Sequence, residues 1–287
     1  MRTPINVSTW DGPAHRDPAI LIHGTFTWAA HAFERQRPLA RTRRILLPDR
    51  RGFGDSPDLG SAPTDGDPAG RGHHRGGGGV TSDYEVDAED IVALMGSGAH
   101  LVGHSYGGTV AMLAAAARPG LVRSLTLIEP CAHQLAAGEP VVAAAIEDGR
   151  RFMAGARRGT PEEYVATAYR DAPTPEPADR LLRAARTALG ERPCWLAELA
   201  VTPLAQAAFP KLVIVGGWER VPPGFRPGMA AVMRAVASTV ADKIGARLVR
   251  VTGAAHDPHR DQPATVNALL EALWSTEQET PCPSPAA

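Results

Sequence analysis

The stretch Gly103-His104-Ser105-Tyr106-Gly107 sets one serine between two glycines. It closes the apolar run HLVGH and leads directly into TVAMLAAAA, a run of helix formers. A serine hydroxyl is a weak nucleophile near neutral pH. It attacks a carbonyl only with a base in hydrogen-bond reach and with donors aimed at the oxyanion that forms. A strand-to-helix turn supplies one donor, the Tyr106 N–H, and its glycines allow the strained backbone that exposes the serine. The G-x-S-x-G spacing is a weak signal alone, but here a strand precedes it and a helix follows. Ser105 is the candidate nucleophile.

A base and an acid must reach this serine from distant parts of the chain, so the order of the strands matters. Apolar runs of strand length occur at 19–24 (AILIHG), 44–49 (RILLPD), 100–104 (HLVGH), 124–129 (SLTLIE), 211–217 (KLVIVGG) and 247–253 (RLVRVTG). Helical patterns separate them, which predicts a mostly parallel α/β sheet covered on both faces. Ligand groups gather at the carboxyl ends of such strands. Residues just after each run are therefore the ones to inspect.

Two segments interrupt the alternation. Residues 57–83, dense in Gly, Pro and Asp, read as a long mobile loop. His73 and His74 within it lack Cys, Asp or Glu at ligand spacing and read as solvated, so no metal is expected. Residues 131–206 carry helical segments with acidic and arginine side chains intermixed, and read as a helical cap. The predicted division is a core of 1–130 and 207–278, a cap of 131–206 and a disordered tail of 279–287.

The 287 residues carry 30 basic and 31 acidic side chains, a net charge of −1, so neither a nucleic-acid nor a membrane partner is indicated. The opening MRTPINVSTWDG has no apolar signal core, and no later segment approaches the length of a membrane span. A cytoplasmic protein is the expectation. Three cysteines, Cys131, Cys194 and Cys282, lack metal-ligand spacing and read as reduced thiols without a functional signal. The oligomeric state is not legible.

Over nearly its whole length the chain resembles the α/β-hydrolase superfamily. HGT (23–25) follows the first buried run where that family places its second oxyanion donor, and DRRGFGDS (49–56) resembles its Asp-x-x-Gly-x-Gly-x-Ser turn. The resemblance implies the α/β-hydrolase fold with a cap insertion and the chain order nucleophile, acid, histidine. His256, in VTGAAHDPHRDQP, stands where the family's catalytic histidine sits, with His259 the weaker candidate. His23 and His104 match family positions that pack and hydrogen-bond.

The acid has two candidates. The family's common aspartate after KLVIVGG is missing, and Glu219 is the carboxylate nearby. Glu129 ends the run SLTLIE, where a carboxylate is costly to leave unpaired and an imidazole N–H is a natural partner. Haloalkane dehalogenases and zearalenone-type lactonases carry their acid at this station, the latter with a serine nucleophile, and that resemblance favours Glu129. Ser105 in place of a nucleophilic aspartate argues against dehalogenation.

Together these residues imply hydrolysis of an ester or lactone of a neutral hydrophobic molecule, such as a polyketide-type macrolactone, through an acyl-enzyme and without cofactor. Tyr106 and Thr25 (or Phe26) would form the oxyanion hole. Phe26, Trp28, Trp195 and Trp218, with Phe152 and Met153, are candidates to line the pocket. The alternatives are a ligand receptor on the same fold, or an acyltransferase or cyclase using the same triad.

Overall fold

In a computed structural model that describes residues 2–59, 80–156, 159–169, 173–222, 225 and 228–275, seven strands form one sheet. The predicted tail at 279–287, His73, His74, Cys282 and most of the predicted loop lie outside the described residues. The strands are β1 (Val7–Trp10), β2 (Ala19–Ile22), β3 (Ile45–Pro48), β4 (Ala99–His104), β5 (Val122–Ile128), β6 (Lys211–Gly216) and β7 (Arg247–Val251). Their order is β1-β3-β2-β4-β5-β6-β7, parallel throughout except for β1, which runs antiparallel to β3. β2 to β7 are the six apolar runs; β1 was not anticipated. Its sequence, VSTW, is short and of mixed polarity, and its structure depends on pairing with β3.

Helices α1 (Ala29–Ala32), α2 (Tyr84–Leu94), α3 (Tyr106–Ala117), α4 (Pro140–Ala156), α5 (Pro161–Ala168), α6 (Ala178–Gly190), α7 (Thr202–Gln206), α8 (Met229–Ile244), α9 (Pro258–Asp261) and α10 (Pro263–Trp274) complete the frame. On one face of the sheet Ile91, Val110 and Val236 pack over Leu101, Leu125 and Val213. On the other, Phe33, Val266, Leu270 and Trp274 cover Leu21, Val102 and Ile214. With both faces buried, the central strands read as continuous apolar runs. Among the described residues no helix is long and apolar enough to cross a membrane.

Between β5 and β6 the chain builds α4, α5, α6 and α7. α6 buries Leu181, Ala184, Ala185 and Ala188, an i, i+3, i+4, i+7 stripe. Polar bonds fix it to the 49–56 turn: Thr187 Oγ1 donates to Gly52 O at 2.6 Å, and Arg183 donates to Gly54 O at 2.7 Å and Ser56 O at 2.6 Å. That turn is pinned by Asp49, whose carboxylate accepts from Ala29 N at 2.9 Å, Asn6 Nδ2 at 2.9 Å and Asp55 N at 3.1 Å. Asp49 is thus occupied in turn geometry.

Candidate active site

β4 ends at His104, and the next residue, Ser105, has φ 54° and ψ −117° before α3 begins. The glycines around it are needed for close approach. A side chain at Gly103 would meet Gly107 O at 2.2 Å, and one at Gly107 would meet Ile22 O at 2.1 Å. Ser105 belongs to a wider pattern. Among the described residues the non-glycine positions with positive φ are Phe26, Ser105, Glu129 and Trp218. They follow β2, β4, β5 and β6, so the strained backbone is concentrated along one carboxyl edge of the sheet.

The same edge brings three distant side chains together. His256 Nε2 lies 3.1 Å from Ser105 Oγ, and His256 Nδ1 lies 3.6 Å from Glu129 Oε2. The second distance is that of an ion pair, longer than a hydrogen bond. Glu129 is fully buried at the end of β5. Its Oε1 accepts from Gly216 N at 2.6 Å and from Trp218 Nε1 at 3.0 Å, which leaves Oε2 for the imidazole. Burial on its own would lower the His256 pKa. The Glu129 carboxylate beside it, the charge of Asp257 and the nearby Cys131 outweigh it and raise the value to about 9.

Glu219 sits elsewhere. Its carboxylate accepts from Gly253 N at 3.2 Å and lies 3.6 Å from the Arg250 guanidinium on the surface. His259 is fully buried with its ring 5.2 Å from Phe33 and 4.4 Å from His104, while His256 makes the contact with Ser105. His104 donates from Nε2 to His256 O at 2.9 Å, fixing the backbone of the histidine next to Ser105. Burial lowers its own pKa to about 4, against the raising effect of Asp257. His23 accepts from Arg50 N at 3.0 Å through Nε2, so its Nδ1–H donates to Gly24 O at 2.7 Å. Among the described residues one grouping has metal-ligand chemistry: His104, Asp257 and His259 offer atoms within 4.8 Å of one another. The His104 Nε2–H is already taken by His256 O.

Several participants were not legible. Cys131, expected to be silent, places Sγ 3.4 Å from Ser105 Oγ, and a hydrogen bond from Cys194, with His133 and His256 nearby, lowers its pKa against the effect of burial. Beneath the loop after β2 lies a buried ion cluster. Arg50 pairs with Glu191 at 2.7 Å and Asp87 at 3.0 Å, donates to Gly24 O at 3.2 Å, and holds its guanidinium carbon 3.8 Å from the Tyr106 ring centre. Thr25 Oγ1 donates to Glu191 Oε2 at 2.7 Å. Burial pushes both carboxyls up, and Arg50 pulls them back toward ionisation. The Thr25 hydroxyl is therefore committed, and only its backbone can face a reacting oxygen.

Over Ser105 and His256 opens a cavity of about 490 Å³ walled by Phe26, Phe152, Tyr164, Tyr169 and Phe225. Phe26 lies where the sequence suggested. Trp28, Trp195 and Trp218 do not line the cavity, which corrects that expectation. Trp28 stacks on His31 at 4.6 Å, Trp195 packs against Gly149 of α4, and Trp218 holds Glu129. Met153 is likewise absent from the lining, where Tyr164, within α5, and Tyr169, just past its C-terminal end, supply the wall.

The frame has many solved counterparts. Est816, described as an N-acyl homoserine lactone degrading enzyme, is 20% identical, with 93% of this chain and 96% of that one covered at a TM-score of 0.57. A thermophilic esterase from Thermogutta terrifontis is 23% identical over 93% and 92%, TM-score 0.59. A meta-cleavage product hydrolase from Pseudomonas fluorescens is 17% identical over 94% and 93%, TM-score 0.60. At such identities the likeness is one of fold. No curated protein sequence matches significantly. The sequence profile of the alpha/beta hydrolase family matches residues 19–269, which spans every parallel strand and both sides of the serine turn, and the chain belongs to that family.

Proposed function

We propose that the protein is a serine hydrolase acting on a carboxylic ester or lactone of a neutral, hydrophobic small molecule. One observation carries the reading: Ser105 Oγ, the His256 ring and the Glu129 carboxylate lie in line, at 3.1 Å and 3.6 Å, beneath an aromatic cavity. Family membership and the esterase and lactonase among its structural counterparts support the same class of reaction.

In the proposed cycle neutral His256 takes the Ser105 proton as Oγ attacks the carbonyl carbon. The developing oxyanion is received by the N–H of Tyr106, at the first turn of α3, and by that of Thr25 or Phe26. Glu129 holds the ring and stabilises the imidazolium. The imidazolium returns its proton to the leaving alkoxide, and water, activated by His256, then releases the acid from the acyl-enzyme. Because the base must be neutral, a pKa near 9 places the rising limb of activity on the alkaline side.

The test is incubation with p-nitrophenyl acetate and, separately, with a fluorophosphonate probe. Turnover together with labelling at Ser105 is expected. Labelling without turnover would replace hydrolysis by acyl transfer, cyclisation or simple ligand binding. A macrolactone panel read by mass spectrometry then tests the polyketide-type substrate.

A further inference from the structure

The cavity over Ser105 shares part of its aromatic wall with a second one. A second cavity of about 460 Å³ lies between α4 and α8, and Phe152 and Phe225 line both. Beyond these two rings the walls are Val141, Ala144, Ala145, Met229 and Val232, with Gly149 and Gly228. The one charged side chain on its lining, Asp148, is paired with Arg151.

We infer that this groove binds the apolar arm of the substrate, so that the preferred ester or lactone carries an alkyl chain too long for the cavity over Ser105. The inference rests on the hydrolase reading above and adds a substrate class to it. Adjacency is the first argument, since Phe152 and Phe225 line both the cavity over Ser105 and the groove. Chemistry is the second. Ser105, Thr25 and Thr27 lie on the catalytic side, whereas the groove offers an alkyl chain apolar walls and a carboxylate already occupied. Exposure is the third. Val141 and Phe152 stand 37% and 38% exposed, two of the five large hydrophobics left open among the described residues. Apolar surface held open beside a catalytic cavity marks a place for a ligand.

The experiment measures kcat/KM along two homologous series, p-nitrophenyl alkanoates from acetate to decanoate and alkyl acetates of the same lengths. In at least one series kcat/KM should rise on the order of tenfold to a hundredfold from four to ten carbons, below the roughly fourfold per methylene of complete burial. Ala145→Phe, which fills the groove from α4, should collapse the long-to-short ratio. Because the ratio compares two substrates on one preparation, it does not depend on the fraction of the variant that folds. Turnover of short esters with a flat or falling profile in both series overturns the inference alone, as does an unchanged ratio in Ala145→Phe. Failure to turn over any ester overturns the hydrolase reading and this inference with it. A long-to-short ratio that rises only above micelle-forming concentrations would assign the groove to a lipid surface and also overturn it.

Discussion

Two buried glutamates, Glu129 beside His256 and Glu191 beside Thr25, differ in what surrounds them. Glu129 ends β5, accepts two neutral N–H groups, and pairs with no Arg or Lys among the described residues; its other oxygen looks at His256. Glu191 follows α6, is paired with Arg50 and accepts from Thr25. A buried carboxylate without a permanent cation can stabilise a transient one, the imidazolium. A carboxylate already neutralised by a guanidinium acts as a splint, here between the end of α6 and the loop after β2. Burial alone does not distinguish an acid that works on the reaction from one that works on the fold; the counter-charge does.

The largest effect removes the chemistry on which this contrast depends. Ser105→Ala should abolish both turnover and fluorophosphonate labelling while circular dichroism stays unchanged, and labelling that survives would sink the nucleophile. Next, His256→Ala should lower kcat by about 10⁴-fold or more, whereas His259→Ala, which removes a ring packed on His104 and Phe33, should cost far less. Equal losses would leave the base unassigned. Glu129→Gln keeps the size and removes the charge, so kcat and kcat/KM should fall together by about 10² to 10⁴. Glu219→Gln, at a surface contact with Arg250, should change little. A reversal of that order would transfer the acid to Glu219 and end the comparison.

How much of this was legible follows from what each feature needs. β2 to β7 could be read because strands buried on both faces are continuous apolar runs, and the serine turn could be read because Gly103 and Gly107 are forced by backbone contacts. β1 could not, since four residues of mixed polarity become a strand only beside β3. Trp28, Trp195 and Trp218 were misplaced because an aromatic's type gives its area and not the direction it faces. Cys131 stands two residues beyond Glu129, and only the bend at the end of β5 turns its sulfur to Ser105. Glu191 carried no signal, because its partners Arg50, Asp87 and Thr25 are distant in sequence and meet only when α6 docks.

Glu191→Gln is the reciprocal test. It leaves Arg50 paired with Asp87 and without its shorter carboxylate contact, so stability should fall by about 3 kcal/mol, read as a lower urea midpoint at unchanged m value. Thr25 loses a charged acceptor, and the loop that bears it loosens, so kcat should fall on the order of tenfold with KM little changed. Glu129→Gln should do the opposite, with a large loss of rate and a urea midpoint close to wild type, because its amide oxygen still accepts from Gly216 and Trp218. If both variants lost rate alone, or both stability alone, the division of labour would be wrong.

The smallest effect tests the electrostatics around the base. Asp257 lies beside His104, with oxygen and Nε2 3.5 Å apart. Burial would raise its carboxyl, but the three histidines and Arg260 lower it, so it stays ionised across the working range. Its charge is among the causes that raise His256 to about 9. The sign follows from the proposed base being the neutral ring: kcat/KM should rise with pH and reach half its maximum near 9. Asp257→Asn removes one raising influence and leaves the Glu129 contact in place. The midpoint should therefore move toward neutrality, and the fraction of maximal activity retained at pH 7 should increase even if the maximum itself drops. Glu129→Gln should move the midpoint in the same direction and also lower the plateau by orders of magnitude, which separates a residue that tunes the base from one that holds it. A pH profile of Asp257→Asn that is unmoved, or shifted to higher pH, would show that the basicity of His256 has another source.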